Sequence, residues 1–229
     1  MSTATPVVRA RWCDIGRIAD LVAEALSPTA LAAWLVPDAQ RRTAVLAAVA
    51  RIWTEHAMLF GDAFLLRDGT AATVWFHRYR PIPAPNRYAD RLAAAAGPDE
   101  EQFLRLDEAL AARRPAEAHN HLALLAAPGP AAARRAAAAL VGSQRWMDTL
   151  SLPTYAEAFT ATDRDLFRRH GYADREAIAI AGPGDTTTTL PMWRLSPFWA
   201  GRSGGNGRWP ARRITSRTRN GRASGWALR

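Results

Sequence analysis

Cysteine is nearly missing from this chain: Cys13 stands alone, which excludes an internal disulfide and a cysteine metal cluster. Cys13 itself reads as a small packing residue. Lysine is missing altogether, since all 30 basic residues are arginine, and with the heavy use of alanine this points to GC-rich coding DNA. No apolar run approaches the roughly 20 residues that a membrane helix needs. The opening "MSTATPVVRARW" has no basic head followed by an apolar segment, so no secretory leader is read there and a cytoplasmic location is expected. Acids are missing from one stretch only. From Pro197 to Arg229 there are eight arginines and no Asp or Glu, and without that stretch 22 arginines face 21 acids. The formal charge of +9 therefore belongs to the tail, and a nearly neutral body argues against nucleic-acid binding by the fold itself. The tail has no helical or strand period, and its glycines and arginines suggest a disordered extension over 197–229. Any RNA or DNA contact would run through it.

What remains, 1–196, is long enough for one domain with a full core. "VVRARW" reads as a strand, and Asp14 as the N-cap of a helix carrying Ile15, Ile18, Val22 and Leu26. "ALAAWLV" is a short helix before Pro37. Val45, Val49, Ile52, Trp53 and His56 repeat along a longer one over 39–58. Asp68-Gly69 between "AFLL" and "AATVWFH" signals a hairpin. The segment 86–114 holds two helices, the second with acids in its first turn and arginines in its last. "TYAEAF" is a strand, and "ATDRDLFRRHGY" a helix with Thr162 and Asp165 at capping-box spacing and Gly171 at its C-terminal cap. "EAIAIA" and "PMWRLS" finish the sheet.

The unit with chemical consequence is strand, helix, strand across 120–159. "HLALLAAPGP" runs straight into the alanine-rich "AAARRAAAALV". A connection of this kind is nearly always a right-handed crossover between parallel strands, which sets the helix N-terminus at the carboxyl end of the first strand. Free N–H groups and the helix dipole make an anion site there.

The order of elements, with "VVRARWCDIGRIADLVAEAL", "HLALLAAPGP" and "PTYAEAFTATDRDLFRRHGY" at its turning points, resembles the GNAT superfamily of N-acetyltransferases over about Val8 to Leu195. The helical insert is similar to that of a group of actinobacterial members. The resemblance implies an α/β fold: a mixed, mostly antiparallel central sheet with a parallel, splayed pair formed by the fourth and fifth strands, and helices on both faces. It implies acetyl-CoA as cofactor. The backbone of Leu125, Ala126 and Ala127 would hold the pantetheine arm, and the amides of 131–136 the pyrophosphate. An amine of a small molecule or peptide would approach near Trp34, Trp75 and His77 and attack the thioester directly, as a monomer or homodimer, with no membrane partner and no metal. His121 and Glu157 are the candidate bases.

The chain departs from the family's pattern in three places. The phosphate loop of Gln or Arg, two residues, Gly, one residue, Gly or Ala stands here as Ala131, Ala132, Ala133, Arg134, Arg135, Ala136, of which Ala136 alone fits. Arg134 at the central glycine position would crowd the cradle with its bulk, or one of the two arginines would pair with phosphate oxygens. Phe167 occupies the position of the usual acid tyrosine and has no proton to give. Asp163 stands where an asparagine is common. An enzyme and a binding module of the same fold with weakened affinity for acetyl-CoA are both consistent with these residues.

Overall fold

A computed structural model describes residues 6–180 and 187–197; the expected basic extension from residue 198 on lies outside the described residues. β1 (Val7–Arg9), β2 (Gly61–Leu66), β3 (Ala72–Arg78) and β4 (His119–Ala126) form an antiparallel ladder in chain order. β4 pairs in parallel with β5 (Thr154–Ala158). β6 (Ala173–Asp174), β7 (Ile178–Ala179) and β8 (Thr188–Arg194) close the sheet, with β8 antiparallel to β5 and both short strands pairing β8. The order is β1-β2-β3-β4-β5-β8-β6. This is the mixed, mostly antiparallel α/β architecture that the order of elements implies.

Strand alternation divides the core in two. Ala63 and Leu65 of β2 and Val74 and Phe76 of β3 face one side, where they meet Ile18 and Val22 of α1 (Ile15–Leu26) and Ala50 and Ala57 of α3 (Ala39–Phe60). Phe64, Trp75 and Leu122 face the other, against Leu140 and Met147 of α6 (Ala132–Asp148) and Leu166 of α7 (Ala161–Arg169). Three further helices build a second layer over α3: α2 (Ala30–Leu35), α4 (Tyr88–Ala96) and α5 (Glu100–Arg113), joined through Leu35, Leu46, Leu92 and Phe103. No helix among the described residues is long and apolar enough to cross a membrane.

Several ends differ from the sequence reading. β1 stops at Arg9. Asp14 holds the N-cap position of α1, but its side chain makes no capping bond there; its carboxylate accepts from the Arg11 N–H at 2.7 Å and closes a 3₁₀ turn, Trp12–Asp14, ahead of the helix. Cys13 lies on that turn and is exposed, not packed. β4 begins one turn of the alternation earlier than "HLALLAAPGP" suggests, with buried His119 as its first residue. The capping box of α7 is Thr160 with Asp163, two residues earlier than the Thr162–Asp165 pair. Gly171 does end α7, at φ 87°: its N–H reaches the Arg168 carbonyl and the Tyr172 N–H the Phe167 carbonyl, both at 3.1 Å.

The β4–β5 pairing is short. It joins Asn120, His121 and Leu122 to Thr154, Tyr155 and Ala156 and then stops, although both strands continue. β4 also carries an extra residue: Leu122 stands opposite Trp75 and Leu124 opposite Val74, which leaves Ala123 as a bulge. A bulge bends its strand and raises its twist, and this one lies where β4 leaves β5.

Candidate active site

Past the last β4–β5 pair, the space between the strands is a wedge of about 40 Å³ lined by Leu122, Leu124, Leu125, Phe159, Asp163 and Phe167. It adjoins a larger cavity of about 370 Å³, and Leu26, Ala123, Leu124, Glu157 and Phe159 line both. The larger cavity is walled by α1, α2, α3, β3 and the helical insert, with Trp53, Phe76, Leu106 and Leu110 among its apolar surfaces.

Glu157 stands at the junction. The side chain is buried, and Oε2 lies 2.7 Å from His121 Nε2. On the far side of the imidazole, Arg78 Nε–H donates to His121 Nδ1 at 3.2 Å. An arginine has no lone pair to offer, so Nδ1 must be the acceptor, and the ring's single proton sits on Nε2, donated to Glu157. Burial holds the His121 pKa below its usual value, outweighing the Glu157 charge that would raise it, and the ring stays neutral at pH 7. In this pair of candidate bases His121 is the donor and Glu157 the acceptor. Glu157 Oε1 is buried and has no hydrogen-bond partner; the Tyr155 hydroxyl lies beside this carboxylate but outside hydrogen-bond geometry. With only the Tyr155 hydroxyl beside it, this carboxylate oxygen keeps room to accept an N–H from the cavity side.

His119 shares this face of β4. It is buried, its Nδ1–H donates to the Glu117 carbonyl at 2.6 Å, and desolvation pushes its pKa down to about 4. An unfolded chain binds that proton near pH 6.5, so the stability His119 contributes is full above pH 6.5 and is lost as the pH falls toward 4. Relative to His119→Gln, which cancels the contribution of other titrating groups, the wild type is expected to lose on the order of 2 kcal/mol more between pH 7 and pH 4.5 in denaturant unfolding. Parallel pH profiles for the two proteins would refute this.

Three residues expected at the amine cleft lie elsewhere. Trp75 is fully buried on the α6 side of the sheet, because alternation pairs it with Phe64 and not with Phe76. His77 shares that parity: its ring nitrogens face Asn120 Oδ1 at 3.1 Å and Asp62 Oδ2 at 3.0 Å, and the Asp62 bond raises its pKa. Trp34 packs half-buried against the cluster of α2, α3 and the insert. Beside His121 and Glu157, four polar residues that line the cavity carry no sequence signal of their own: Arg78, Tyr88, Asp107 and Arg114. Tyr88 donates its hydroxyl proton to Asp107 and accepts from Trp53 Nε1 at 3.2 Å. Burial raises the Asp107 pKa.

The loop before α6 is largely closed on itself. Gly129 and Ala131 both have positive φ, 78° and 60°. The Ala132 N–H bonds Gly129 O at 3.2 Å, and the Arg134 and Arg135 N–H groups both bond Ala131 O at 3.1 Å. Among the described residues, the amides of Ala131 and Ala133 make no such backbone bond. Arg134 is exposed, and Arg135 is the arginine that crosses the loop, its guanidinium donating to the Pro128 carbonyl. It is Arg135, and not Arg134, that lies across the loop. Ala126 closes the end of β4 in the core, Ala127 packs against a small cluster with Leu66 and Ala71, and Ala136 packs on the α6 side. Phe167 lies 5.3 Å from the Tyr172 ring and lines the wedge as hydrocarbon. Asp163 lines it too, but one oxygen accepts from both the Thr160 N–H (3.1 Å) and hydroxyl (2.8 Å), and burial raises its pKa.

The sheet order, the brief parallel β4–β5 pairing and the helix that starts at the wedge are the fold that the resemblance to the GNAT acetyltransferases implies. No family model matches the sequence, and no curated protein matches it. Solved structures match the fold. An acetyltransferase from Corynebacterium glutamicum, described as histone acetyltransferase HPA2 and related acetyltransferase, superposes with a TM-score of 0.62 at 20% identity, over 85% of this chain and 97% of that one. An agmatine N-acetyltransferase and the polyamine N-acetyltransferase of Drosophila melanogaster each give 0.52 at 17% identity, over 82% of this chain and 97% of theirs.

Proposed function

We propose that the protein transfers an acetyl group from acetyl-CoA to the amine of a small molecule or peptide, by direct attack with Glu157 as general base. One observation carries the reading: the wedge and the cavity adjoin at Glu157, whose Oε1 is buried and unpartnered. The backbone of Leu125 to Ala127, beyond the β5 pairing, fits the pantetheine arm, and acetyl-CoA when bound supplies an activated acyl carbon. An ammonium in the cavity gives a proton to Glu157, and His121, held by Arg78, keeps the carboxylate in place as its charge changes. Phe167 gives no proton to the departing thiolate, whose conjugate acid has a pKa of about 8.5; the missing acid slows the reaction without stopping it. Solved structures of the same fold that act on amines support this class of acceptor.

The second reading, a binding module with weakened affinity for acetyl-CoA, draws on the loop. Three of its amides are already satisfied, and a diphosphate would have to displace Arg135 from Pro128. The two readings part on a thermal shift. Acetyl-CoA is expected to raise the melting temperature of the full chain, and Arg135→Ala to enlarge the shift by opening the cradle. At 100 times Kd, bound ligand adds about 2.7 kcal/mol of stability. Thiol release in the presence of amines then reports transfer. A shift without thiol release favours the binding module; no shift in either protein ends the acetyl-CoA reading.

A further inference from the structure

Arg78 and Arg114 are the two arginines that line the large cavity. Elsewhere, part-buried arginines at helix and strand ends meet carboxylates, as Arg41 does Asp99 at 2.9 Å and Arg194 does Asp148 at 2.6 Å. Neither cavity arginine has a carboxylate within ion-pair distance among the described residues. The one side-chain hydrogen bond of Arg78 is its Nε–H to His121, and its guanidinium lies 5.2 Å over the Phe76 ring. Arg114, at the end of α5, has a buried Nε with no partner. The two repel: burial first, and Arg114 second, push the Arg78 pKa down to about 10. Glu157 acts on Arg78 and Asp107 on Arg114 only at longer range than an ion pair, so both guanidiniums keep N–H groups open to an anion from outside.

The rest of the lining narrows what that anion belongs to. Neither of the cavity's carboxylates is spent on an arginine: Asp107 accepts from the Tyr88 hydroxyl, and Glu157 accepts from His121 through Oε2 alone, which leaves Oε1 open. Two positive and two negative groups line the space, so a ligand carrying both signs fits it and a bare anion or a polycation does not. Arg78 and Glu157 stand on opposite sides of one imidazole ring. That is a separation which the ammonium and carboxylate of an α-amino acid bridge with a hydrogen bond at each end. Leu35, Leu46, Trp53, Phe76, Leu106 and Leu110 leave the remainder apolar.

We infer that the acceptor is a zwitterionic α-amino acid with an apolar side chain, its carboxylate held by Arg114 and Arg78 and its ammonium directed at Glu157. The inference deepens the acyl-transfer reading and rests on it for the chemical step, but binding alone tests it. In the full chain without acetyl-CoA, calorimetric titration compares L-phenylalanine, L-phenylalaninamide and phenethylamine. L-phenylalanine is expected to bind about 10- to 100-fold more tightly than the other two, as a charge-assisted contact with the carboxylate predicts. Arg114→Gln is expected to bring the three to similar affinities, and Arg114→Lys to restore part of the margin. The inference fails if the amide or the amine binds as tightly as the amino acid. It fails equally if Arg114→Gln weakens all three alike, or if none binds at about 10 mM. Binding of L-phenylalanine without thiol release on adding acetyl-CoA would overturn the acyl-transfer reading and leave this one standing.

Discussion

Glu157→Gln is expected to lower the rate of acetyl transfer by about 10²- to 10⁴-fold, the usual worth of a positioned general base. The amide keeps the shape of the carboxylate and still accepts from His121 Nε2, so the network of Arg78, His121 and residue 157 survives. What disappears is the oxygen proposed to take the proton. Melting temperature and acetyl-CoA binding should therefore stay near wild type, and the loss should fall on kcat. Steady-state thiol release with saturating acetyl-CoA, beside a thermal melt of each protein, measures both. A rate within about threefold of wild type would remove Glu157 from the chemistry.

Trp75→Ala is expected to cost about 3–5 kcal/mol of stability, the range for deleting a large aromatic from a core. Trp75 is fully buried between Phe64, Leu122 and Met147, and its Nε1 has no hydrogen-bond partner, so its contribution is packing alone. A loss of that size is a large part of the 5–15 kcal/mol that typically holds a domain together. Trp75→Phe, which leaves a smaller void, keeps the measurement possible if the alanine variant does not fold. Denaturant unfolding at pH 7 gives the numbers. An alanine variant destabilised by less than about 1 kcal/mol, with a raised KM for the amine, would return Trp75 to the substrate cleft.

The contrast between these two residues shows what the sequence could express. Glu157 and His121 are legible because each stands on a strand whose place comes from the order of elements, and parallel pairing at His121↔Tyr155 brings them within reach. Trp75 and His77 depart from expectation on parity. Side chains of β3 alternate between two cores, and both faces of that strand carry aromatics, so composition does not tell which one meets the cavity. The α7 capping box is offset because Thr160–Asp163 and Thr162–Asp165 have the same spacing; the end of β5 at Ala158 selects the first. Arg114 looks like an ordinary complement to the α5 dipole, and nothing local pairs it with Arg78, 36 positions earlier. That juxtaposition is a product of tertiary structure. The bulge at Ala123 likewise has no signature, since alanine needs no special backbone region there.

With only three residue pairs between β4 and β5, the sheet is in effect two rafts lashed together at one short seam. Past Leu122 the inner edge of β4 presents peptide groups that no neighbouring strand takes up, and solvent or an amide-bearing guest must satisfy them. Neither raft need unfold for the gap to widen or narrow, since the crossing through α6 is long and the ladders on either side are antiparallel and intact. If the sheet opens anywhere along its middle, this seam has fewer interstrand bonds to lose than the β3–β4 or β5–β8 ladders beside it.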